Sequence, residues 1–279
     1  MRRLGLGLRT LLGGSPGGFF IPYRHAAAVT PPTRYLALEP LFAASEPAMA
    51  HVLERIEAVG GRLLALDGPP PAPRWRQSWF PRLDGAALYV IVRATRPSRI
   101  LEVGSGHSTR FMAQAVADGG FPCALTCIDP QPRAHLMGLR LDLHRRLLQP
   151  ADAGLAEALD PGDILFVDSS HVAMPGSDVD LLLNEVLPRL RPGVLVHLHD
   201  IFLPDAYPKE WAWRGYNEQI PVACLLQGGG WAIRFASHYL ATRRPEALAR
   251  SVVGRLPLPA GAVEGSLWLE KLPAPPPSP

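Results

Sequence analysis

The chain has 279 residues, of which 47% are hydrophobic and 19% are charged, and its formal net charge at pH 7 is +3. Such a chain can bury a large core, and its length fits one large domain with extensions or two small domains. The charge excess is small and no dense cluster of Lys and Arg is present, so we expect no nucleic-acid partner. No segment is long and apolar enough to span a bilayer, and we expect no membrane partner either.

The cysteines and the amino terminus bear on the compartment. Cys123, Cys127 and Cys224 make an odd number without zinc-site spacing, so we predict buried free thiols in a reducing, cytoplasmic setting. The stretch MRRLGLGLRTLLGGSPGGFF has an Arg-rich head, but glycines and Arg9 interrupt its apolar run. We therefore favour a loosely ordered amino terminus over a signal peptide.

Proline-rich segments divide the chain. DGPPPAPRW, from Asp67 to Trp75, separates an N-terminal helical extension with its linker (residues 1–72) from a main domain (residues 73–270). The last residues, 271–279, read as a disordered Pro-rich tail. We expect the main domain to build its binding crevice without the extension. The extension itself carries apolar residues at helical spacing: Met49, Val52, Leu53, Ile56 and Val59.

Strand and helix patterns alternate through the main domain. RILEVG, ALTCIDP, ILFVD and GVLVHLHD are predicted strands, and RRLLQ is a weaker one. We predict a helix over RAHLMGLRLDL, between the second strand and RRLLQ. WAIRFASHYL and GSLWLEKL close the sheet as an antiparallel hairpin with no full helix between them. The alternation predicts an α/β fold of the doubly wound, Rossmann-like type.

The segment RILEVGSGHSTRF combines a strand, a glycine turn and a helix. Gly104 and Gly106 allow a tight turn, and the helix that follows presents its amino end to a ligand. Asp129 ends the next strand, where a carboxylate can accept hydrogen bonds from both ribose hydroxyls. The combination predicts a nucleotide-type cofactor, and the alternative is a glycine turn that only connects two elements.

Two residues discriminate between cofactors. A dinucleotide site would have a third glycine where this chain has Thr109. The charge of Glu102 would repel a pyrophosphate, whereas it suits a ligand that carries an ammonium and a sulfonium group. The sequence therefore favours S-adenosyl-L-methionine over a nicotinamide cofactor.

The motifs resemble those of a known family. LEVGSGHS resembles motif I (E-x-G-x-G-x-G) of the class I S-adenosylmethionine-dependent methyltransferases, with Ser108 in place of the last glycine. CIDP, GDILFVDSSH and LRPGVLVHLHD resemble the family's second motif and its fourth and fifth strands. The resemblance covers roughly residues 75–268 and is closest to the bacterial enzymes near the catechol and macrolide-sugar O-methyltransferases.

The resemblance implies a seven-stranded mixed sheet whose last strand is antiparallel. It also implies the cofactor-binding residues, which are Glu102, Gly104, Ser105, Gly106 and Ser108 at the methionine end, Asp129 at the ribose and Asp152 at the adenine amino group.

Two predicted strands end in the same residue types. DILFVDSSH delivers Asp168 and His171, and GVLVHLHD delivers His199 and Asp200. The carboxyl ends of parallel strands meet at one edge of the sheet, and ligands bind there. We therefore predict that both strand ends build one site.

Two chemical uses of this site stay open. Asp168, His199 and Asp200 could bind a divalent cation, Mg²⁺ or Mn²⁺, that holds a substrate oxygen. His171 could act as general base beside Asp168. The sugar O-methyltransferases that the chain resembles have an Asp and a His at the positions of Asp168 and His171, used as metal ligand and base. They have Glu-Asp where this chain has His199-Asp200. The alternative for all of these side chains is helix capping or loop hydrogen bonding.

The aromatic segment FLPDAYPKEWAWRGYNEQ follows the fifth strand. Trp211, Trp213 and Tyr216 could form the wall of a substrate pocket over the methyl donor, and Asn217 and Glu218 could reach its polar end. Alternatively, the aromatic rings could pack the last helix on the sheet. We predict a methyltransferase that acts on a hydroxyl group of a small molecule or sugar. A nicotinamide-dependent oxidoreductase and a non-catalytic scaffold that binds the cofactor are the alternatives, and the acceptor and oligomeric state stay open.

Overall fold

The computed structural model describes residues 2–13, 17–19 and 21–273. The chain forms two compact units, residues 1–33 and residues 34–279. Most of the predicted tail, residues 274–279, lies outside the described residues. In the first unit the structure describes one α-helix, α1 (Arg2–Leu11), and one 3-10 turn (Ala26–Ala28). No helix among the described residues is long and apolar enough to cross a membrane.

The second unit is built on a seven-stranded sheet. Its strand order is β3-β2-β1-β4-β5-β7-β6. The first five strands pair in parallel, and β7 runs antiparallel to both β5 and β6. This confirms the predicted mixed sheet with an antiparallel last strand. The strands are β1 (Arg99–Val103), β2 (Ala124–Ile128), β3 (Asp142–His144), β4 (Ile164–Val167), β5 (Leu195–Leu198), β6 (Trp231–Ala236) and β7 (Leu267–Lys271).

Helices surround this sheet. Before β1 lie α2 (Glu39–Ala44), α3 (Glu46–Ala58), α4 (Gly60–Leu64) and α5 (Arg82–Thr95). Between the strands lie α6 (His107–Gly119), α7 (Ala153–Glu157) and α8 (Asp178–Leu181), which continues as a π-turn over Leu182–Val186. Near the end lie α9 (Gln219–Gln227), α10 (Ser237–Arg243), α11 (Pro245–Arg250) and α12 (Val252–Arg255).

The compact unit begins earlier than the proline-rich segment suggested. Helix α3 packs against α5 and β6, and its side chains Met49, Val52 and Ile56 are buried in the core of the sheet domain. The structure therefore divides the chain after Thr33 and not at residue 72. The apolar periodicity of α3 indicated a helix correctly, but periodicity does not say which core that helix joins.

Two predicted connections were wrong. Residues 130–141 form neither helix nor strand, and the third strand is Asp142–His144, which precedes RRLLQ. Pro130, Pro132 and Gly138 interrupt helical hydrogen bonding in this segment. The connection between β6 and β7 also differs, because α10, α11 and α12 lie within it and the two strands are not a simple hairpin.

The cysteines are all free. Cys127 is buried in β2 and Cys123 is half-buried, as predicted, whereas Cys224 is exposed on the outer face of α9. Burial raises the pKa of the Cys123 thiol to about 11, so this group stays protonated and unreactive at neutral pH.

Candidate active site

The glycine turn after β1 presses against the end of β4. Gly104 has a φ of +81°, and a Cβ atom there would lie 1.8 Å from the carbonyl oxygen of Asp168. The amide of Asp168 in turn donates to the carbonyl of Val103 at 2.9 Å. Only glycine fits such a position. The turn predicted to hold the cofactor therefore adjoins the first strand end of the predicted chemical site.

Glu102 lies beneath this turn and does not face solvent. Its carboxylate is fully buried and accepts from Ser108 Oγ at 2.6 Å, from Thr109 Oγ1 at 2.7 Å and from the Cys127 thiol at 3.2 Å. Burial raises the pKa of Glu102 to about 7, although the donors oppose this shift. Since Glu102 and Ser108 are buried and bonded to each other, they hold the start of α6 in place. The structure leaves neither of them open to the methionine end of a cofactor.

Ser105 and Asp129 meet at the mouth of the turn. The Asp129 carboxylate accepts from the Ser105 amide at 2.6 Å, from Ser105 Oγ at 2.9 Å and from the Gln131 amide at 2.7 Å. A carboxylate has about four lone-pair sites, so it can accept further hydroxyl groups. These contacts fix the carboxylate at the carboxyl end of β2, and its role at a ribose stays a prediction. Gly106, which precedes α6, adds no side chain that would block this mouth.

Asp152 accepts hydrogen bonds from neighbouring residues of the chain. Both of its carboxylate oxygens accept from Arg146 at 2.6 Å, and one also accepts from the Gln149 amide at 2.8 Å. The hydrogen bonds from Arg146 lower the pKa of this carboxyl, although burial opposes them. Asp152 therefore stabilises its own turn, and the structure does not offer it to an adenine amino group as predicted.

The ends of β4 and β5 build one cluster. His171 Nε2 lies 3.3 Å from Asp168 Oδ1 and 3.6 Å from Asp200 Oδ2. His199 Nδ1 lies 3.5 Å from Asp168 Oδ1 and 3.5 Å from Asp200 Oδ1. The structure thus brings together the four residues that the repeated strand endings singled out. We call Asp168, His171, His199 and Asp200, with the two carboxylates described next, the carboxylate–imidazole cluster.

Two further carboxylates complete the cluster. Glu218, at the start of α9, lies 2.9 Å from His171 Nδ1, and Asp84, near the start of α5, lies 3.5 Å from His199 Nε2. Both side chains are almost completely buried. Asp84 also accepts from the Ser237 hydroxyl and the Ser266 amide. The one signal for Asp84 in the sequence is a lone acid beside the apolar run GAALYVIV.

The backbone at this cluster is strained. His171 and Asp200 have φ angles of +59° and +54°, a region that side-chain-bearing residues rarely adopt. Each such residue costs on the order of 1–3 kcal/mol, and such residues concentrate at functional sites. The His171 carbonyl is held by the amides of Asn217 and Glu218 at 3.1 and 3.3 Å. Holding His171 and Asp200 in these backbone conformations therefore lowers the stability of the folded chain.

Ion pairing decides the protonation of the cluster. Burial alone would raise the pKa of Asp168, yet the imidazoles of His199 and His171 hold it well below its usual range. Burial alone would lower the pKa of both histidines. The neighbouring carboxylates nevertheless raise the pKa of His171 and of His199 well above the ordinary value of 6.5. Both histidines therefore carry a proton at neutral pH, which a general base must first lose.

The predicted metal ligands do not form a metal site in this arrangement. No three His, Cys, Asp or Glu side chains in the part of the chain that the structure describes could share one ion. The ring of His199 lies between carboxylates on both sides, with Asp168 and Asp200 near Nδ1 and Asp84 near Nε2. The positive charge of His199 thus balances these carboxylates where a cation would do so. In this arrangement Asp168, His199 and Asp200 do not fit Mg²⁺ or Mn²⁺.

The aromatic segment after β5 covers the cluster. The Tyr216 ring packs on the His171 imidazole with centroids 4.5 Å apart. Trp211 packs edge-on against Phe202 at 5.0 Å, and Asn217 Oδ1 accepts from the Ala173 amide at 2.7 Å. Of the residues predicted here, Tyr216 and Glu218 lie against His171, whereas Trp211 and Asn217 mainly hold the segment in place and Trp213 is exposed.

A separate groove lies away from the cluster. A groove of about 1180 Å³ runs between Pro69–Pro71, one face of α6 and the loop around Gly138. It borders the stretch where a helix was predicted and loop is found. None of the predicted site residues lines this groove, so it is separate from the carboxylate–imidazole cluster.

Part of the chain matches a known family model, and several solved structures are similar to the chain. Residues 101–201, from β1 to just beyond β5, match a family model described as a methyltransferase domain. No curated protein sequence matches the chain. Among solved structures, the SAH-bound Podospora anserina methyltransferase PaMTH1 is 18% identical, with 91% of this chain and 99% of that chain covered and a TM-score of 0.41. The Bacillus cereus O-methyltransferase in complex with SAH is 13% identical, with 84% and 99% covered and a TM-score of 0.41.

The matched segment contains the glycine turn, Asp129 and both strand ends of the cluster. The sheet around it has the seven strands and the antiparallel last strand that the motif resemblance implied. The segment thus matches a methyltransferase domain, and the sheet is the one that the resemblance to the class I S-adenosylmethionine-dependent methyltransferases implied.

Proposed function

We propose that the protein transfers a methyl group from S-adenosyl-L-methionine to a hydroxyl group of a small molecule or sugar at the carboxylate–imidazole cluster. The observation that carries the proposal is the contact between Gly104 and the backbone of Asp168. It joins the turn predicted to hold the cofactor to the charged strand end. The Asp168 side chain is also 25% exposed, whereas Asp200 is 10% exposed and both histidines are almost fully buried. An acceptor therefore reaches the cluster first at Asp168.

The transfer requires a hydroxyl oxygen to attack the methyl carbon while the carbon–sulfur bond breaks. The electron pair of that bond stays on sulfur, the neutral S-adenosylhomocysteine leaves, and the hydroxyl proton must also leave. Ionised Asp168 can accept a hydrogen bond from the hydroxyl and so orient its oxygen lone pair. His171, predicted as the base, can take the proton only once it has lost its own.

This assignment has a pH signature. Because the carboxylates raise the pKa of His171 well above 6.5, the fraction of enzyme with a neutral His171 increases as the pH rises through that higher value. Turnover should therefore increase on the alkaline side of neutrality. His171→Ala should lower turnover by about 10²–10⁴-fold and remove this dependence.

The test uses S-adenosyl-L-methionine with a panel of catechols, sugars and other hydroxylated metabolites, and measures the S-adenosylhomocysteine formed. Asp168→Asn should abolish turnover while cofactor affinity changes little, because the adenosyl group is held at β1 and β2. The control is Asp67→Asn, which removes an exposed carboxylate in the proline-rich segment. Loss of turnover in both variants alike would count against a role for Asp168 in the reaction.

Chelation tests whether a divalent cation assists the reaction. Turnover that disappears on exhaustive chelation and returns with Mg²⁺ or Mn²⁺ would support a metal-assisted reaction in which the cluster rearranges. Binding of NAD without S-adenosyl-L-methionine would instead favour the oxidoreductase alternative. Cofactor binding without transfer to any panel member would favour a non-catalytic scaffold.

A further inference from the structure

Residues 2–33 expose an unusual share of apolar side chains. Eight of the sixteen exposed large hydrophobic side chains among the described residues lie there, including Leu4, Leu8, Phe19, Ile21 and Tyr23. A folded surface normally scatters such side chains singly. Their concentration in one short segment indicates a surface made for contact with something outside this unit.

Helix α1 arranges part of this surface as a stripe. Leu4, Leu8 and Leu11 are spaced by four and three residues, so they share one helix face, and they are 68%, 48% and 57% exposed. The other side of the helix is partly covered, because the Gly17 amide donates to Thr10 Oγ1 at 2.9 Å. Within its own unit, the chain therefore folds back over one side of α1 and leaves the leucine stripe open.

A helix of this length needs a partner surface. Isolated helices shorter than about 12–15 residues are marginal in water, and α1 has 10 residues, two of them glycines. Helical stability in proteins comes mostly from packing of an apolar face. The leucine stripe is that face, so whatever it packs against stabilises the helix.

The charge of residues 1–33 indicates the kind of surface that they bind. Residues 1–33 contain four arginines, at positions 2, 3, 9 and 24, and no acidic residue. The other 246 residues carry 24 basic and 25 acidic side chains, so this unit accounts for the whole positive excess of the chain. With no acid in the unit, these arginines have no ion-pair partner within it. They are complementary to a surface that is itself anionic.

We propose that residues 2–33 bind the surface of an anionic lipid bilayer, with α1 lying in the interface and not crossing it. A helix that carries a leucine stripe and an exposed arginine away from it, Arg9, has the pattern of interfacial helices. Lipid headgroups supply the negative charge, and the acyl boundary takes the leucine stripe. This differs from the expectation of no membrane partner, because the whole-chain composition averages the unit with a nearly neutral domain. The proposal does not depend on the methyltransferase assignment.

The experiment is vesicle co-sedimentation of the full chain. Phosphatidylcholine vesicles that contain phosphatidylglycerol should retain the protein, vesicles of phosphatidylcholine alone should retain much less, and added salt should weaken the binding. Arg9→Gln combined with Arg24→Gln should lower partitioning to the anionic vesicles by about 30-fold, since each arginine near such a surface contributes about 1 kcal/mol.

The apolar contribution is tested separately. A variant with Leu4, Leu8 and Leu11 replaced by Ser should lose binding to both kinds of vesicle. The matched control replaces Met137 and Leu147, which are 76% and 68% exposed elsewhere in the chain, by Ser and should bind like the parent protein. Cofactor affinity should be the same in all variants, which separates this test from that of the proposed function.

Three outcomes would overturn the proposal. The first is no retention by anionic vesicles. The second is equal loss of retention in the control and stripe variants. The third is a lipid-free dimer that the stripe variant converts to monomer, which would assign the stripe to a second copy of the chain.

Discussion

Substitution of Glu102 tests directly how burial changes the pKa of a carboxyl group beneath the glycine turn after β1. Glu102→Gln keeps the shape of the side chain and one oxygen that can accept from Ser108 or Thr109, but it removes the ionisable group. In the folded protein burial raises the pKa of this carboxyl from 4.5 to about 7. The native state therefore binds the proton more tightly than the unfolded chain does.

The size of the effect follows from this difference. A shift of about 2.5 pH units at about 1.36 kcal/mol each gives about 3 kcal/mol. The contribution of protonated Glu102 to the free energy of unfolding is fully present below pH 4.5 and is lost as the pH rises to about 7. The parent protein should lose about 3 kcal/mol over this window that Glu102→Gln retains. The difference between the two proteins should then stay constant at higher pH.

The assay is urea unfolding of both proteins at a series of pH values from below 4.5 to above 7. Other groups titrate in the same range, so the quantity of interest is the difference in unfolding free energy between the two proteins. Glu54→Gln on α3 is the control, because that side chain is 75% exposed and its replacement removes a carboxylate outside the buried site. Stability curves of parent and Glu102→Gln that run parallel across the whole range would refute the reasoning.

Three other predictions test the glycine turn at Gly104, the predicted ribose contact of Asp129 and the domain boundary. Asp129→Ala should weaken S-adenosyl-L-methionine binding by about 10–100-fold without unfolding the protein, since charge-assisted hydrogen bonds contribute about 1.5–3 kcal/mol each; calorimetry with unchanged affinity would remove Asp129 from the site. Gly104→Ala should abolish cofactor binding and lower the unfolding temperature, because its Cβ would lie 1.8 Å from the Asp168 carbonyl oxygen; a thermal melt and affinity equal to the parent would contradict this close approach. A chain that begins at Arg34 should fold and bind cofactor like the parent, whereas a chain that begins at Pro73 should fail to fold, because it lacks the buried side chains of α3; circular dichroism of the two truncations decides.

Local sequence patterns were enough to predict the fold class and the edge of the sheet at which the site lies. Apolar strand patterns that end in Asp168 and Asp200, and a glycine turn at Gly104, are local features. Parallel pairing then brings those strand ends to one edge whatever the rest of the chain does. That is why the convergence of the cluster's four central residues could be predicted from the spacing of strands and polar endings.

The protonation of those residues depends on contacts that only the folded chain makes. Glu218 and Asp84 come from helices outside the two strands, and each engages one ring of the cluster. Their carboxylates, together with Asp168 and Asp200, hold the proton on His171 and His199 although burial opposes this. A sequence pattern cannot reveal it, because pKa values depend on neighbours distant in the chain.

The same reason explains the residues whose predicted contacts the structure does not offer. Motif position predicted that Glu102 and Asp152 contact a ligand. In the folded chain their carboxylates instead accept hydrogen bonds from other residues, Glu102 from Ser108 and Thr109, and Asp152 from Arg146. A motif places a side chain on a strand or loop. Which way that side chain turns depends on the burial and the hydrogen-bond donors that the folded chain brings around it, and those are properties of the whole three-dimensional arrangement.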